Sequence, residues 1–139
     1  MDYLKDEKKK YWARFFTGPL IWLPLPTLIV LDVLISLYQD ICFPIYEIRK
    51  LKRSDYILVL DRNRLKYLTI RQKIGCMYCG YANGLLAYSK DIAGLTEKYW
   101  CGIMHESKEG FIGRQGQIDL NFAKFDDENE FNQKYKTKQ

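Results

Sequence analysis

The sequence predicts a mainly α-helical protein: an N-terminal membrane-associated helical segment, re-entrant or interfacial, followed by a small helical Cys/His domain. Three observations carry this expectation. Between Phe15 and Tyr38 the only charged residue is Asp32. Leu85, Tyr88, Ile92, Leu95 and Tyr99 recur at spacings of three and four, the period of one helix face. Cys76, Cys79, Cys101 and His105 gather three of the four cysteines and the sole histidine into one short stretch.

The chain divides into four parts. Residues 1–14 form a basic N-terminus, expected on the cytoplasmic side. Residues 15–48 form the apolar segment. Residues 49–106 form the helical Cys/His region expected to bind metal, and residues 107–139 a polar, partly ordered tail. A length of 139 residues suits one domain. With 47% hydrophobic and 15% aromatic residues, disorder throughout is excluded. A net charge of +5 suits an anionic surface, either lipid headgroups or nucleic acid. Four cysteines are too few for a secreted disulfide scaffold. The apolar run carries three prolines and lacks a cleavage site, so it does not read as a secretory signal.

The apolar segment has just the length of a bilayer span, about 20 residues. Pro19, Pro24 and Pro26 interrupt its first half, so a straight helix is expected from about Thr27. Asp32 at mid-membrane would cost roughly 2.5–3.5 kcal/mol. Lys8, Lys9, Lys10 and Arg14 precede the segment, and Arg49, Lys50, Lys52 and Arg53 follow it. The positive-inside rule puts both flanks in the cytoplasm, which one crossing cannot do. At helical spacing Asp32, Ser36, Gln39 and Asp40 make a thin polar stripe. Val30, Leu31, Leu34, Leu37, Tyr38 and Ile41 cover the other face. Such a helix lies in a leaflet, its stripe toward headgroups or toward its own protein. Trp12, Trp22, Tyr38 and Tyr46 are placed as interfacial anchors.

Beyond Pro44, Tyr56–Leu60 reads as a strand or extended segment. Asp61 is placed to cap a helix with Leu65, Leu68 and Ile74 inward, ended by Gly75. A second helix is expected from about Tyr81 to Trp100, with Gly84 and Gly94 as weak points.

Cys76-x2-Cys79 and Cys101-x3-His105 are each well spaced for zinc, and together they are the candidate metal ligands. Closing them on one ion requires the intervening helix to break near Gly94 or Asn83-Gly84, because about 20 residues of unbroken helix span 30 Å. Without a break there are two separate sites: a Cys76/Cys79 thiol pair at a helix N-terminus, and Cys101 with His105 beside Cys42 or Glu97. A third alternative leaves the cysteines as packed apolar residues. Iron or an iron–sulfur centre is a lesser expectation than zinc. Glu97, Cys101 and His105 fall on one helical stripe, yet no paired Glu-x-x-His motif of a di-iron bundle occurs. Gly-x-Ser-x-Gly, Walker and dinucleotide-binding patterns are also missing.

The runs Lys52–Ile57, Cys76–Gly84 and Glu97–His105 resemble a group of small uncharacterised bacterial membrane-associated proteins. The resemblance implies the bacterial inner membrane and transfers no activity. The combined expectation is a membrane-associated, zinc-binding adaptor or accessory subunit of a larger membrane complex, its soluble part facing the cytoplasm. A membrane-bound redox protein using Cys76 and Cys79 and a nucleic-acid-binding zinc module are the alternatives.

Overall fold

A computed structural model describes residues 7–108 and 114–136. Helix α1 spans Glu7–Trp22, α2 Leu25–Ile45, α3 Arg53–Tyr56 and α4 Ile70–Trp100; α5 (Arg114–Asp119) and α6 (Glu128–Phe131) follow. A 3-10 turn covers Arg62–Arg64, and a π-helical turn follows α6 over Asn132–Lys136. The protein is mainly helical, as expected. Among the described residues there is no strand, only an isolated bridge between Ile103 and Ala123. The basic N-terminus expected over 1–14 lies partly outside the described residues.

A tight turn at Leu23–Pro24 divides α1 from α2, because proline supplies no N–H to continue the ladder. Pro24 and Pro26 therefore sit at the start of α2, where their missing N–H groups break no helical bond. Phe15–Ile45 nevertheless forms a helical stretch long and apolar enough to cross a membrane. Its mean hydropathy is 2.2, and only 6% of its most apolar window is buried.

Helices α2 and α4 run side by side and parallel. Trp22, at the α1–α2 junction, packs its ring on Tyr78; Gln39 meets Tyr88, and Tyr46 stacks on Tyr99. Residues 46–69 return the chain to the starting end. The core fills the angle between these three parts. Phe43, Leu85, Tyr88 and Ile92 are fully enclosed, joined by Leu28, Tyr38, Leu51, Ile57 and Leu95. The expected inward face of the second helix is thus correct for Leu85, Tyr88, Ile92 and Leu95, while Tyr99 is half exposed.

One expectation is corrected and one is decided between its alternatives. Asp61 makes no side-chain cap, and only a single 3-10 turn follows it. The helix starts instead at Ile70, where Thr69 and Gln72 form a reciprocal capping box, and it runs straight through Gly75. Of the strand or extended segment expected over Tyr56–Leu60, the extended segment is found. Tyr56 closes the short α3, and the next residues run extended across α4.

That crossing explains two glycines. A Cβ at Gly80 would lie 2.5 Å from the Leu58 carbonyl oxygen. One at Gly84 would collide with the Tyr56 carbonyl and lie 2.9 Å from the Ile57 Cα. The return segment therefore rides directly on the helix backbone, which only glycine permits.

The tail folds against the far end of α4. Gly102 turns the chain with φ +63°, and its carbonyl accepts bonds from Ala123 N–H (2.7 Å) and the Tyr135 hydroxyl (3.1 Å). Phe122 and Ala123 are buried there, and Leu120 reaches Gly94.

Gly84→Ala is expected to lower unfolding free energy by about 1–3 kcal/mol, because backbone must move to admit the methyl group. Gly75→Ala, with open space around it, is expected to stabilise by up to about 1 kcal/mol through helix propensity. Denaturant midpoints of both variants in one buffer check the pair.

Candidate functional site

The most distinctive chemistry lies along the seam between α2 and α4. Asp32 and Gln39 of the polar stripe of α2 project into it, while Asp40 stays at its exposed edge. Asp32 accepts two bonds from the Arg53 guanidinium, at 3.0 Å from Nε and 2.5 Å from Nη2. Its Oδ2 also accepts from the Tyr81 hydroxyl at 3.0 Å. The Asp32 side chain is only 16% exposed, against 47% for Arg53. Three donors compensate the removal of the carboxylate from water.

About two turns further on, Gln39 is buried and fully bonded. Its Nε2 donates to the Tyr88 hydroxyl (2.7 Å) and the Leu51 carbonyl (3.2 Å), while its Oε1 accepts from Leu51 N–H (2.9 Å). This one amide ties α2, the return segment and α4 together. Lys50 pairs with Asp40 at 2.9 Å. Thr96 donates to the Ile92 carbonyl, so the Tyr38 hydroxyl is the donor in its 3.0 Å bond to Thr96.

Tyr81, Tyr88 and Tyr56 are held toward the protonated form. Burial and the Asp32 carboxylate push Tyr81 up. Burial, then its bond to Asp91, pushes Tyr56 up to about 12. Beside Asp32, Arg53 is raised above its already high value by that bond. The seam is therefore a set of fixed donors and acceptors rather than a proton-transfer relay at neutral pH.

The opposite face of α2 is bare. Val30, Val33, Leu34, Leu37 and Ile41 are each more than half exposed, and Ile45 is 70% exposed. On α1, Phe15, Phe16 and Leu20 are exposed too, with Trp12 stacked on Phe16. The expected anchors divide accordingly. Trp12 is exposed, Trp22 packs on Tyr78, and Tyr38 and Tyr46 turn toward α4.

The cysteines and histidine do not converge. Cys76 and Cys79 lie about two turns inside α4, half-buried and exposed respectively. Cys101 caps the C-terminal end, exposed, and His105 follows in irregular backbone. The helix between Cys79 and Cys101 is unbroken, so they lie about 33 Å apart. The single Cys76–Cys79–Cys101–His105 zinc set is corrected on this ground, since one tetrahedral ion needs thiolates about 4 Å apart. Gly84 and Gly94, the expected break points, remain helical and admit neighbouring chain instead. The thiol-pair alternative loses its physical basis as well, because the N-terminal field falls off within the first turn.

Among the described residues no group of three or more His, Cys, Asp or Glu side chains is arranged to hold a metal. His105 Nε2 lies 3.6 Å from Glu97 Oε1. Buried Gln117 ties the same region together, donating to Glu97 (2.9 Å) and accepting from His105 N–H (3.0 Å). This is a joint between the end of α4 and α5.

Sequence reasoning found the polar stripe but not its partners. Arg53, Tyr81 and Tyr88 lie 21 to 49 positions away from their partners on α2, and spacing carries no such information. Thr69-x-x-Gln72 was a readable helix start that Asp61 masked.

Gln39→Leu, which strands the Leu51 N–H and the Tyr88 hydroxyl, is expected to cost about 1–3 kcal/mol in denaturant titration. An Asp32→Asn, Arg53→Gln double-mutant cycle is expected to give about 1 kcal/mol of coupling, because Arg53 is half exposed and screened. Spin labels at positions 79 and 101 are expected to report a separation of about 33 Å.

No protein-family model matches this chain, and neither a curated protein nor a solved structure shows significant similarity to it.

Proposed function

We propose that the protein is a membrane-docked accessory module. Its α1–α2 face lies in the cytoplasmic leaflet of the bacterial inner membrane, and the body built on α4 faces the cytoplasm as an adaptor for a larger membrane complex. The observation that carries this is the inverted amphipathicity of α2. A helix of a water-soluble domain turns its polar stripe to solvent. Here Asp32 and Gln39 point inward, and Val33, Leu34 and Leu37 point outward. Each exposed aliphatic side chain gains on the order of 1 kcal/mol or more when hydrocarbon replaces water around it.

An in-plane arrangement is favoured over a crossing. Helix α4 accompanies α2 along its length and carries Lys90, Asp91, Glu97 and Lys98. Were α2 to cross while holding its partners, those charges would enter the hydrocarbon, at roughly 2.5–3.5 kcal/mol each. An interfacial helix also leaves both basic flanks on one side. The adaptor role is supported by a cleft of about 680 Å³ between the return segment, α4 and α5, lined by Leu51, Tyr56, Leu95, Leu120 and Phe122. It opens on a face of α4 not covered by α2.

Vesicle flotation after a high-salt wash tests the docking. The full chain is expected to float with neutral lipid vesicles, because apolar insertion is not screened by salt. Val33→Lys with Leu37→Lys is expected to move it largely to the soluble fraction while leaving its helical circular dichroism intact. A wild-type chain that stays monomeric in detergent-free buffer and never floats would refute the proposal.

A further inference from the structure

The fold brings a second surface to the margin of the apolar face. Residues 61–74 hold Arg62, Arg64, Lys66, Arg71 and Lys73 against the single carboxylate of Asp61. None of these five cations forms an ion pair with a described carboxylate. The same stretch exposes large apolar side chains: Leu60 at 63%, Tyr67 at 79% and Ile70 at 77%, with Ile74 half exposed. It is held beside α1, where Phe15, Gly18 and Ile21 share a cleft with Thr69, Arg71 and Gln72. The Trp22–Tyr78 contact, 4.8 Å between rings, fixes the same corner. Cations interleaved with aliphatic side chains, contiguous with a larger apolar face, form a surface whose charges suit phosphate and whose Leu and Ile suit acyl chains.

We infer that residues 60–74 are an anionic-lipid contact, which selects membranes bearing acidic headgroups and orients the docked protein at its α4 N-terminal end. This inference rests on the membrane-docking proposal above. The occupant is a lipid surface rather than nucleic acid because the exposed groups between the cations are mainly aliphatic. Single-stranded nucleic acid is held by aromatic platforms, and this stretch offers only Tyr67. Arg62, Arg64 and Lys66 are exposed and form no ion pair with a described carboxylate, so their replacement leaves the seam and the core untouched.

Binding of the full chain to phosphatidylcholine vesicles is compared with binding to vesicles also containing phosphatidylglycerol. The wild type is expected to bind both and to prefer the anionic ones. Arg62→Ser, Arg64→Ser and Lys66→Ser together are expected to remove that preference, by about fivefold per residue and roughly a hundredfold in all, with binding to phosphatidylcholine unchanged. Lys90→Ser with Lys124→Ser, on other faces, is expected to retain the preference. Equal wild-type affinity for both vesicles, or a preference that survives the triple substitution, overturns the inference while leaving docking intact. Failure to bind either vesicle overturns both. Tighter retention by single-stranded DNA than by anionic vesicles at equal salt overturns the lipid assignment in favour of nucleic acid.

Discussion

The structure depends on how α2 satisfies its polar groups. A helix with almost no charge carries Asp32 and Gln39 on one stripe, and neither group can be left unbonded away from water without a cost of about 1–3 kcal/mol or more. Both are satisfied from within the chain: Asp32 by Arg53 and Tyr81, Gln39 by Leu51 and Tyr88. These bonds set the rotation of α2 about its axis. Once Asp32 and Gln39 face α4, no other described part of the chain covers the aliphatic face.

The return segment follows from the same constraint. Parallel packing of α2 and α4 requires the chain to travel back the length of a helix, about 32 Å for 21 residues. Residues 46–69 do so, and deliver Leu51 and Arg53 to the seam on the way. Their passage over α4 is close enough to need Gly80 and Gly84. Gly80, and Gly84 that first suggests a helix break, thus serve the backbone crossing that supplies the Arg53 partner of Asp32.

The enclosed core is small, centred on Phe43, Leu85, Tyr88 and Ile92, and Tyr38, Tyr56, Tyr78 and Tyr81 pack around it. Such a core specifies geometry through polar bonds as much as through apolar burial. The tail adds a second anchoring point at the other end of α4, where Gly102, Ala123 and Tyr135 are bonded together and Gln117 bridges Glu97 and His105.

The sequence by itself determined the helical class, the apolar stretch, the polar stripe on it and the buried face of α4, because hydrophobic periodicity is a local property written in residue spacing. It also carried the capping box at Thr69, which the competing signal of Asp61 hid. Local spacing made Cys76, Cys79, Cys101 and His105 look like one ligand set. Only the tertiary structure decided otherwise, because a continuous α4 separates its two ends whatever chemistry they carry. The tertiary structure alone also decided that Asp32 and Gln39 of the stripe face inward while Asp40 stays exposed. That choice depends on Arg53, Tyr81 and Tyr88 arriving from distant parts of the chain, and on glycines that let the chain pass closely enough to bring them.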